Sequence, residues 1–224
     1  MRWVRDNSLS LAFLVLFLAT LIAQSYAGHL DYNEELKEHD DPSISWGRFV
    51  ASSKFGVAVM ENWQSEFLQF FTFILATIWL LQRGSNESKK LGGAGLESDE
   101  AQRVGTHASP RSPSWAKRMG GLRYHLYANS LLVVMGAIFL ATWFAESVTG
   151  WTEYNADQLD HQQAAVSWAS YIGTPDFWEK SLQNWQSEFL AVGTMVIFTV
   201  YLRQRGSPES KPVGAPHEET GSSG

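Results

Sequence analysis

The chain has 224 residues, ten tryptophans, no cysteine and a formal net charge of −6 at pH 7. The lack of cysteine excludes disulfides, thiol catalysis and thiolate metal sites, and the acidic balance disfavours nucleic acid as a partner. The charged residues avoid four stretches, so the average composition mixes two different kinds of sequence.

The sequence repeats itself at a constant offset. Residues 1–90 match residues 123–212 without a gap, with about a third of the positions identical. The strongest block, Asn-Trp-Gln-Ser-Glu-Phe-Leu, stands at 62–68 and 184–190, and a Gln-Arg-Gly-Ser-x-Glu-Ser-Lys motif follows at 82–89 and 204–211. This self-similarity predicts two tandem copies of one structural unit.

Each copy contains two apolar segments, at 9–27 and 63–81 and again at 131–149 and 185–203. A helix of about twenty residues crosses the roughly 30 Å hydrocarbon core of a bilayer. Apolar residues surround these segments, whereas a soluble amphipathic helix would keep a charged face. The sequence therefore predicts an all-α fold, an integral membrane four-helix bundle of two parallel-oriented helical hairpins, with buried soluble helices as the alternative.

The first segment has a second interpretation. Arg2 and Arg5, the apolar run and Ser25-Tyr26-Ala27 resemble a signal peptide with its cleavage site. The copy of this segment lies in mid-chain, where no signal peptide acts, so a retained helix is favoured.

Small residues recur every fourth position in the first helix of each copy. They are Ala19 and Ala23, with Ala141 and Ala145 at the aligned positions. This spacing lets helix backbones approach closely in lipid and predicts a packing seam. Glu146 follows the seam near the outer end of its helix, where we expect it to reach water instead of forming a proton site.

The loops at 28–62 and 150–184 contain further predicted structure. Thr174-Pro175-Asp176 is typical of a helix start, so each second helix should begin about ten residues outside the bilayer and be near thirty residues long. A short amphipathic stretch around Trp46 and Trp168 precedes it and suits the membrane interface. An outer aromatic belt, or alternatively a ligand platform, is predicted from Trp63, Trp151, Trp178 and Trp185.

The flanking charges predict the orientation. The first loop holds seven acidic and three basic residues and the second five and one, whereas residues 83–123 hold eight basic and four acidic. Because basic flanks stay in the cytoplasm, both loops should face outward and both termini should be cytoplasmic. The predicted organisation is repeat 1 at 1–90, a flexible cytoplasmic linker at 91–122, repeat 2 at 123–205 and a disordered tail at 206–224.

The repeated block supplies the candidate functional residues. Each copy places polar side chains near the outer end of its second helix, namely Asn62, Gln64, Ser65, Glu66, Asn184, Gln186, Ser187 and Glu188. Facing carboxylates of Glu66 and Glu188 would bind a cation or share a proton. The alternative, which we favour, is that the cluster hydrogen-bonds neighbouring helices and sets the register of each hairpin.

No enzymatic or metal site is predicted. His39 and His161 lie among acidic loop residues, but their spacing matches no metal-site pattern, so solvated histidines are expected. The phosphate-binding loop, zinc-protease and nucleophile-elbow motifs do not occur. We therefore expect no cofactor, and a membrane-bound enzyme ranks third among the hypotheses.

The two repeated motifs resemble those of a bacterial family of small multi-pass membrane proteins that is classed as a domain of unknown function. The resemblance covers both halves and not the linker or the tail; it implies the bacterial plasma (inner) membrane and brings no activity, substrate or cofactor. We expect a non-enzymatic structural or interaction role, with the lipid bilayer, a second copy or another membrane protein as partner and no nucleic acid. The alternative is a small transporter or channel component that uses Glu66 and Glu188.

Overall fold

A computed structural model describes residues 2–221, and all regular structure in this range is helical. The α-helices in chain order are α1 Arg2–Asp6, α2 Ser8–Glu38, α3 Trp46–Val50, α4 Ser53–Trp79, α5 Ser114–Lys117, α6 Gly121–Ala128, α7 Ser130–Asp160, α8 Trp168–Tyr171 and α9 Pro175–Tyr201. A 3₁₀ turn at Gly105–His107 precedes α5. The predicted all-α class is confirmed. Residues 1 and 222–224 lie outside the described range, so the predicted tail is described only to residue 221.

Two of the four long helices are long and apolar enough to cross a membrane. These are α2 and α7, of 31 residues each, and only 6% and 17% of their most apolar stretches are buried. A core helix of a soluble protein passes the same test but is mostly buried, and a signal sequence passes it near an N-terminus, as α2 does. Two of the four predicted spans meet the criterion, and the four-helix membrane bundle stays a prediction.

The helices α4 and α9, of 27 residues each, are long enough to cross a membrane but not apolar enough, and the reason is local. Each predicted span opens with the polar residues of the repeated block. The helices also end at Trp79 and Tyr201, so Leu80 and Leu202 lie beyond them. The helical part of each segment therefore carries fewer apolar residues than the segment as a whole.

The helix α9 starts where the sequence predicts it to start. The Thr174 hydroxyl accepts a hydrogen bond from the Phe177 backbone N–H at 3.4 Å, and Pro175 and Asp176 occupy the first turn. The helix α4 begins at Ser53, which is aligned with Pro175. The prediction that the second helix of each copy starts within the loop and is near thirty residues long is confirmed.

The chain forms two compact units, one of residues 2–60 and 145–173 and the other of residues 61–144 and 174–221, and each unit draws on both repeats. In the first unit an asparagine side chain hydrogen-bonds the backbone just before each short helix. The Asn33 side chain accepts from the Ile44 N–H at 2.8 Å and donates to the Ile44 carbonyl at 3.1 Å, and Asn155 does the same to Val166 at 2.8 and 3.0 Å. The two repeats thus fold their outer segments in the same way.

A tryptophan–serine hydrogen bond also recurs in this unit. The indole N–H of Trp46 donates to the Ser25 hydroxyl at 3.1 Å, and that of Trp168 donates to the Ser147 hydroxyl at 3.1 Å. Both serines are buried. The indole N–H groups of these two tryptophans therefore bind protein and not lipid headgroups.

A glycine packed under an aromatic ring is a third repeated feature. Phe49 lies against Gly28 and Tyr171 lies against Gly150, so that a Cβ at either glycine would press on the ring or overlap it. Both aromatic side chains are buried, at 3% and 1% exposed. The two rings therefore pack on protein, and the position of these stretches at the membrane interface stays a prediction.

In the second unit the Gln-Arg-Gly-Ser-x-Glu-Ser-Lys motif forms the same turn after α4 and after α9. The Ser88 hydroxyl accepts from the Gln82 N–H at 2.9 Å and donates to the next carbonyl at 3.0 Å. Ser210 makes the same two bonds, with the Gln204 N–H at 2.9 Å and the following carbonyl at 3.0 Å. The serine thus replaces part of the hydrogen bonding that the helix loses where it ends.

The lysine that closes each motif binds backbone carbonyls. The Lys89 ammonium donates to the Gly95 carbonyl at 2.9 Å. Lys211 is 1% exposed and donates at 2.9–3.1 Å to the carbonyls of Pro216, His217 and Glu219. Burial lowers the pKa of Lys211, and the three carbonyls satisfy its three protons. These bonds organise the start of the segments predicted as linker and tail, whose flexibility stays a prediction.

Gly84→Ala is expected to destabilise the protein more than Gly206→Ala. Both glycines have φ of 84°, so alanine is strained by about 1–2 kcal/mol at either position. Only at Gly84 would the new Cβ overlap the His217 carbonyl oxygen and press on Val200, whereas nothing lies near Gly206. An added overlap costs about 1–3 kcal/mol. In detergent, the Tm of Gly84→Ala should therefore be several degrees lower than the Tm of Gly206→Ala. Equal Tm values would contradict the packing of the tail on Gly84.

Candidate functional site on the α4–α9 helix pair

The repeated block does not present one polar face. In α4, Gln64 and Ser65 are 0% and 1% exposed, whereas Asn62 and Glu66 are exposed. The backbone of a helix turns by a full circle every 3.6 residues, so a run of adjacent polar residues must be divided between a buried and an exposed side.

The aligned residues of α9 are arranged differently. Gln186 and Ser187 are exposed, and Asn184 and Glu188 are partly buried. The two copies of the block therefore share a sequence but not an environment.

Gln64 joins the two helices. Its side-chain oxygen accepts a hydrogen bond from the indole N–H of Trp185 at 2.6 Å, and its amide nitrogen donates to the Glu61 carbonyl at 3.1 Å. A fully buried amide that is bonded at both ends fixes its helix in rotation and height. This bond joins the second helices of the two copies. The register hypothesis concerned the two helices of one hairpin, so it stays a prediction.

The smaller polar groups of the block bond within their own helices. The Ser65 hydroxyl donates to the Asn62 carbonyl at 2.9 Å, and the Ser187 hydroxyl donates to the Asn184 carbonyl at 2.8 Å. The Asn184 amide donates to the Lys180 carbonyl at 2.9 Å. Such local bonds satisfy the hydroxyl and amide groups within their own helices.

Glu66 and Glu188 are brought together across the helix pair. The carboxylates lie close enough for the charge of Glu66 to act on Glu188. Glu66 is exposed and Glu188 is partly buried. Two negative charges that act on each other in this way repel.

A cavity of about 210 Å³ lies between α4 and α9. Its walls are mostly apolar and include three pairs of residues that are aligned in the two repeats, Gln69 with Ala191, Phe70 with Val192 and Phe73 with Met195. Gln69 lies one helical turn beyond Glu66. Aligned residues of the two repeats therefore line the same cavity.

A second pair of carboxyl groups, Glu87 and Glu209, lines the same cavity. Burial, the negative charge of Glu209 and a hydrogen bond with its carboxyl raise the pKa of Glu87. This pair was missed in the sequence, although one signal was there: glutamate stands at the same position in both copies of the motif.

Each of these glutamates is held by its motif turn. The Glu87 N–H donates to the Ser85 hydroxyl at 3.1 Å, and the Glu209 N–H donates to the Ser207 hydroxyl at 3.2 Å. The buried Ser85 hydroxyl also lies 2.9 Å from that of Thr199 on α9. The repeated motif therefore places two carboxyl groups opposite each other.

The predicted packing seam is not covered within the described part of the chain. Ala19, Ala23 and Ala141 are exposed and Ala145 is partly buried, so close packing through them stays a prediction.

Glu146 does not reach water, contrary to the sequence prediction. It is 2% exposed, and Thr142 and Ser147 on the same helix are also buried. The prediction used its depth along the helix, but depth does not tell which side of a helix the protein covers.

The two loop histidines lie at helix ends. His39 and His161 are exposed, and each Nδ1 lies near the carbonyl four residues earlier, at 2.9 and 2.8 Å. No group of three or more histidine, aspartate or glutamate side chains within residues 2–221 is arranged to hold a metal ion.

The stability of the protein should fall as the pH rises because of the Glu87–Glu209 pair. A raised pKa means that the folded protein favours protonated Glu87; this stabilisation is complete below the ordinary glutamate pKa of about 4.3 and is lost as the pH passes the raised value. Glu87→Gln with Glu209→Gln should flatten the dependence of Tm on pH, measured in detergent by tryptophan fluorescence.

The matched control for this prediction is Glu100→Gln, which neutralises an exposed glutamate of the linker. The Tm of this variant should depend on pH as steeply as the Tm of the unaltered chain. An unchanged slope in the double variant would contradict the raised pKa of Glu87.

A family model described as a domain of unknown function (DUF6766) matches residues 1–222. The match spans the linker and the tail as well as both repeats, which is more of the chain than the two motifs cover. No curated protein and no solved structure matches the chain.

Proposed function

The chain belongs to the family of this domain of unknown function, and on that premise we propose that it is a multi-pass membrane protein with a structural or interaction role and no catalysis of its own. The proposed location is the bacterial plasma membrane, which α2, α4, α7 and α9 cross with both termini on the cytoplasmic side. The lipid bilayer is the first partner, and a second copy or another membrane protein is the other.

The observation that carries this proposal is the apolar surface of α2 and α7. Along α2, Phe13 is 66% exposed and Leu14, Val15 and Leu16 are all more than half exposed. In water a continuous apolar surface of this kind drives aggregation. In hydrocarbon it is solvated, and the helix satisfies its own backbone hydrogen bonds as a bilayer requires.

The charges support crossings by α4 and α9 as well. If α2 and α7 alone crossed, the acidic loop at 28–62 and the basic linker would lie on one side of the membrane and the acidic loop at 150–184 on the other. That arrangement opposes the preference of basic residues for the cytoplasm. With four crossings, every acidic loop lies outside and every basic flank lies inside.

The use of the repeated residues supports a structural role. Positions that are identical in the two copies serve largely in internal hydrogen bonds, as with Asn33 and Asn155, Trp46 and Trp168, and Ser88 and Ser210. A catalytic site needs groups that are left available to a substrate. The repeated sequence instead encodes how each copy folds.

The topology can be tested with single cysteines, because the chain has none of its own. Ser43→Cys in the first loop and Ala101→Cys in the linker replace exposed residues. We expect a membrane-impermeant maleimide to label Ser43→Cys on intact cells, and Ala101→Cys only after the cells are opened. Ala165→Cys, at the exposed position aligned with Ser43, is the matched control and should behave like Ser43→Cys.

Labelling of Ala101→Cys on intact cells would overturn the orientation. Labelling of Ser43→Cys on one side and Ala165→Cys on the other would show that α4 does not cross. Recovery of the full chain in the soluble fraction without detergent would end the membrane proposal.

A specific observation favours a second candidate, a small proton or cation transporter. The α4–α9 cavity has Glu87 and Glu209 on its wall. Glu66 and Glu188 lie one helical turn before Gln69 and Ala191, which also line it. Carboxylates in a membrane protein mark ion and proton pathways. Two pairs in line with an apolar cavity are an arrangement that a pathway would use.

Flux measurements separate the two candidates. The structural role predicts no proton flux above that of empty vesicles when the full chain is reconstituted and a pH-sensitive dye is enclosed. The transport candidate predicts a flux that falls at least about tenfold in Glu66→Gln with Glu188→Gln and in Glu87→Gln with Glu209→Gln. Glu34→Gln with Glu38→Gln, in the first loop, is the control and should keep the flux.

A further inference from the structure

The segment that leads into α7 is basic and contains no acidic residue. From residue 101 to residue 145 there is no aspartate or glutamate, and the charged side chains are Arg103, Arg111, Lys117, Arg118 and Arg123. No acidic residue within this run offsets its positive charge. The run would attract a polyanionic surface.

Three of these cations border one cleft. The helices α5 and α6 pack against each other, with the rings of Trp115 and Tyr127 edge to face at 6.0 Å between centroids. A cleft of about 790 Å³ beside them is lined by Trp115, Lys117, Arg118, Arg123 and Tyr124. This volume is within the range of small-molecule sites, roughly 300–1,000 Å³. We call residues 114–127 the α5–α6 surface.

Apolar side chains are exposed beside these cations. Leu122 and Leu126 lie one turn apart on one side of α6 and are 74% and 47% exposed, and Met119 and Trp115 are exposed as well. Cations next to exposed leucine and tryptophan are typical of helices that lie in a membrane interface.

The position of the α5–α6 surface follows from α7, and here the inference rests on the proposed function. One residue, Asn129, separates α6 from α7, and both its backbone N–H and its side-chain amide donate to the His125 carbonyl, at 3.2 and 2.9 Å. Arg123 lies eight residues before the start of the predicted span at Leu131, which is about 12 Å at the rise of a helix. The surface is therefore within reach of the headgroups that α7 enters.

We propose that the α5–α6 surface binds the phosphate groups of anionic phospholipids in the cytoplasmic leaflet. Lys117, Arg118 and Arg123 pair with the phosphates, Leu122 and Leu126 enter the acyl boundary, and the two aromatic rings lie at headgroup level. Nucleic acid offers the same charge but gives the exposed leucines nothing to bury against. A bilayer satisfies both the cations and the leucines.

The test uses the full chain with a single cysteine at Leu122→Cys, labelled with an environment-sensitive dye. The protein is reconstituted in phosphatidylcholine vesicles, with or without roughly 30 mol% phosphatidylglycerol, and the dye is quenched with spin-labelled lipid. We expect strong quenching and a blue-shifted emission only with phosphatidylglycerol, and both should weaken in high salt because the charges are then screened.

Lys117→Gln, Arg118→Gln and Arg123→Gln together should shift the equilibrium toward the free segment on the order of a hundredfold. The matched control removes three positive charges from the same linker outside the surface, with Lys90→Gln, Arg103→Gln and Arg111→Gln. The dye on the control variant should be quenched as strongly as the dye on the protein with an unaltered linker.

Equal quenching in the two kinds of vesicle would overturn the proposal, as would equal loss in the two triple variants. A change in the dye with single-stranded RNA in detergent, without any response to phosphatidylglycerol, would assign the surface to nucleic acid instead. A second cysteine variant, Leu140→Cys in the middle of α7, reports separately on the bilayer. If its dye is quenched while that of Leu122→Cys is not, the lipid surface is wrong and the proposed span is kept.

Discussion

In the proposed membrane arrangement the architecture depends on one constraint, which is that hydrocarbon and not water solvates α2 and α7. Their apolar side chains are exposed over most of their length, and a bilayer is the environment in which this exposure costs nothing. The same environment offers no hydrogen bonds, so polar groups beside it must find partners in the protein. The bond between Gln64 and Trp185 follows from that requirement, and so do the lysines that bind carbonyls beyond the helix ends.

Duplication explains why the internal contacts come in pairs, and one pair shows that the contact is kept even where the residue differs. The Nε2 of His29 lies 2.8 Å from the Ile44 carbonyl, and at the aligned position the indole N–H of Trp151 donates to the Val166 carbonyl at 2.8 Å. Both side chains bring a ring nitrogen to the same place. What the two copies share is therefore a hydrogen-bonding position, which different residue types can fill.

Local signals in the sequence were sufficient where the structure is local. Thr174, Pro175 and Asp176 act through the first turn of a helix, so the start of α9 could be predicted. Long-range pairing could not: the sequence gives the period of the repeat but not which aligned residues face each other. For that reason the sequence shows Glu87 and Glu209 only as members of a repeated motif. It gives the depth of Glu146 along its helix, but not which side of α7 the protein covers.

The tail introduces an asymmetry into an otherwise duplicated unit. Thr220 accepts a hydrogen bond from the Gly84 N–H at 2.8 Å, and the Gly221 N–H donates to the Ser85 carbonyl at 3.1 Å, whereas the region around Gly206 is open. Because a ribosome makes the chain from its N-terminus, the turn that is synthesised first receives these two partners only after Thr220 and Gly221 have been made. The turn after the first copy of the repeat thus completes its hydrogen bonding only after the second copy has been synthesised.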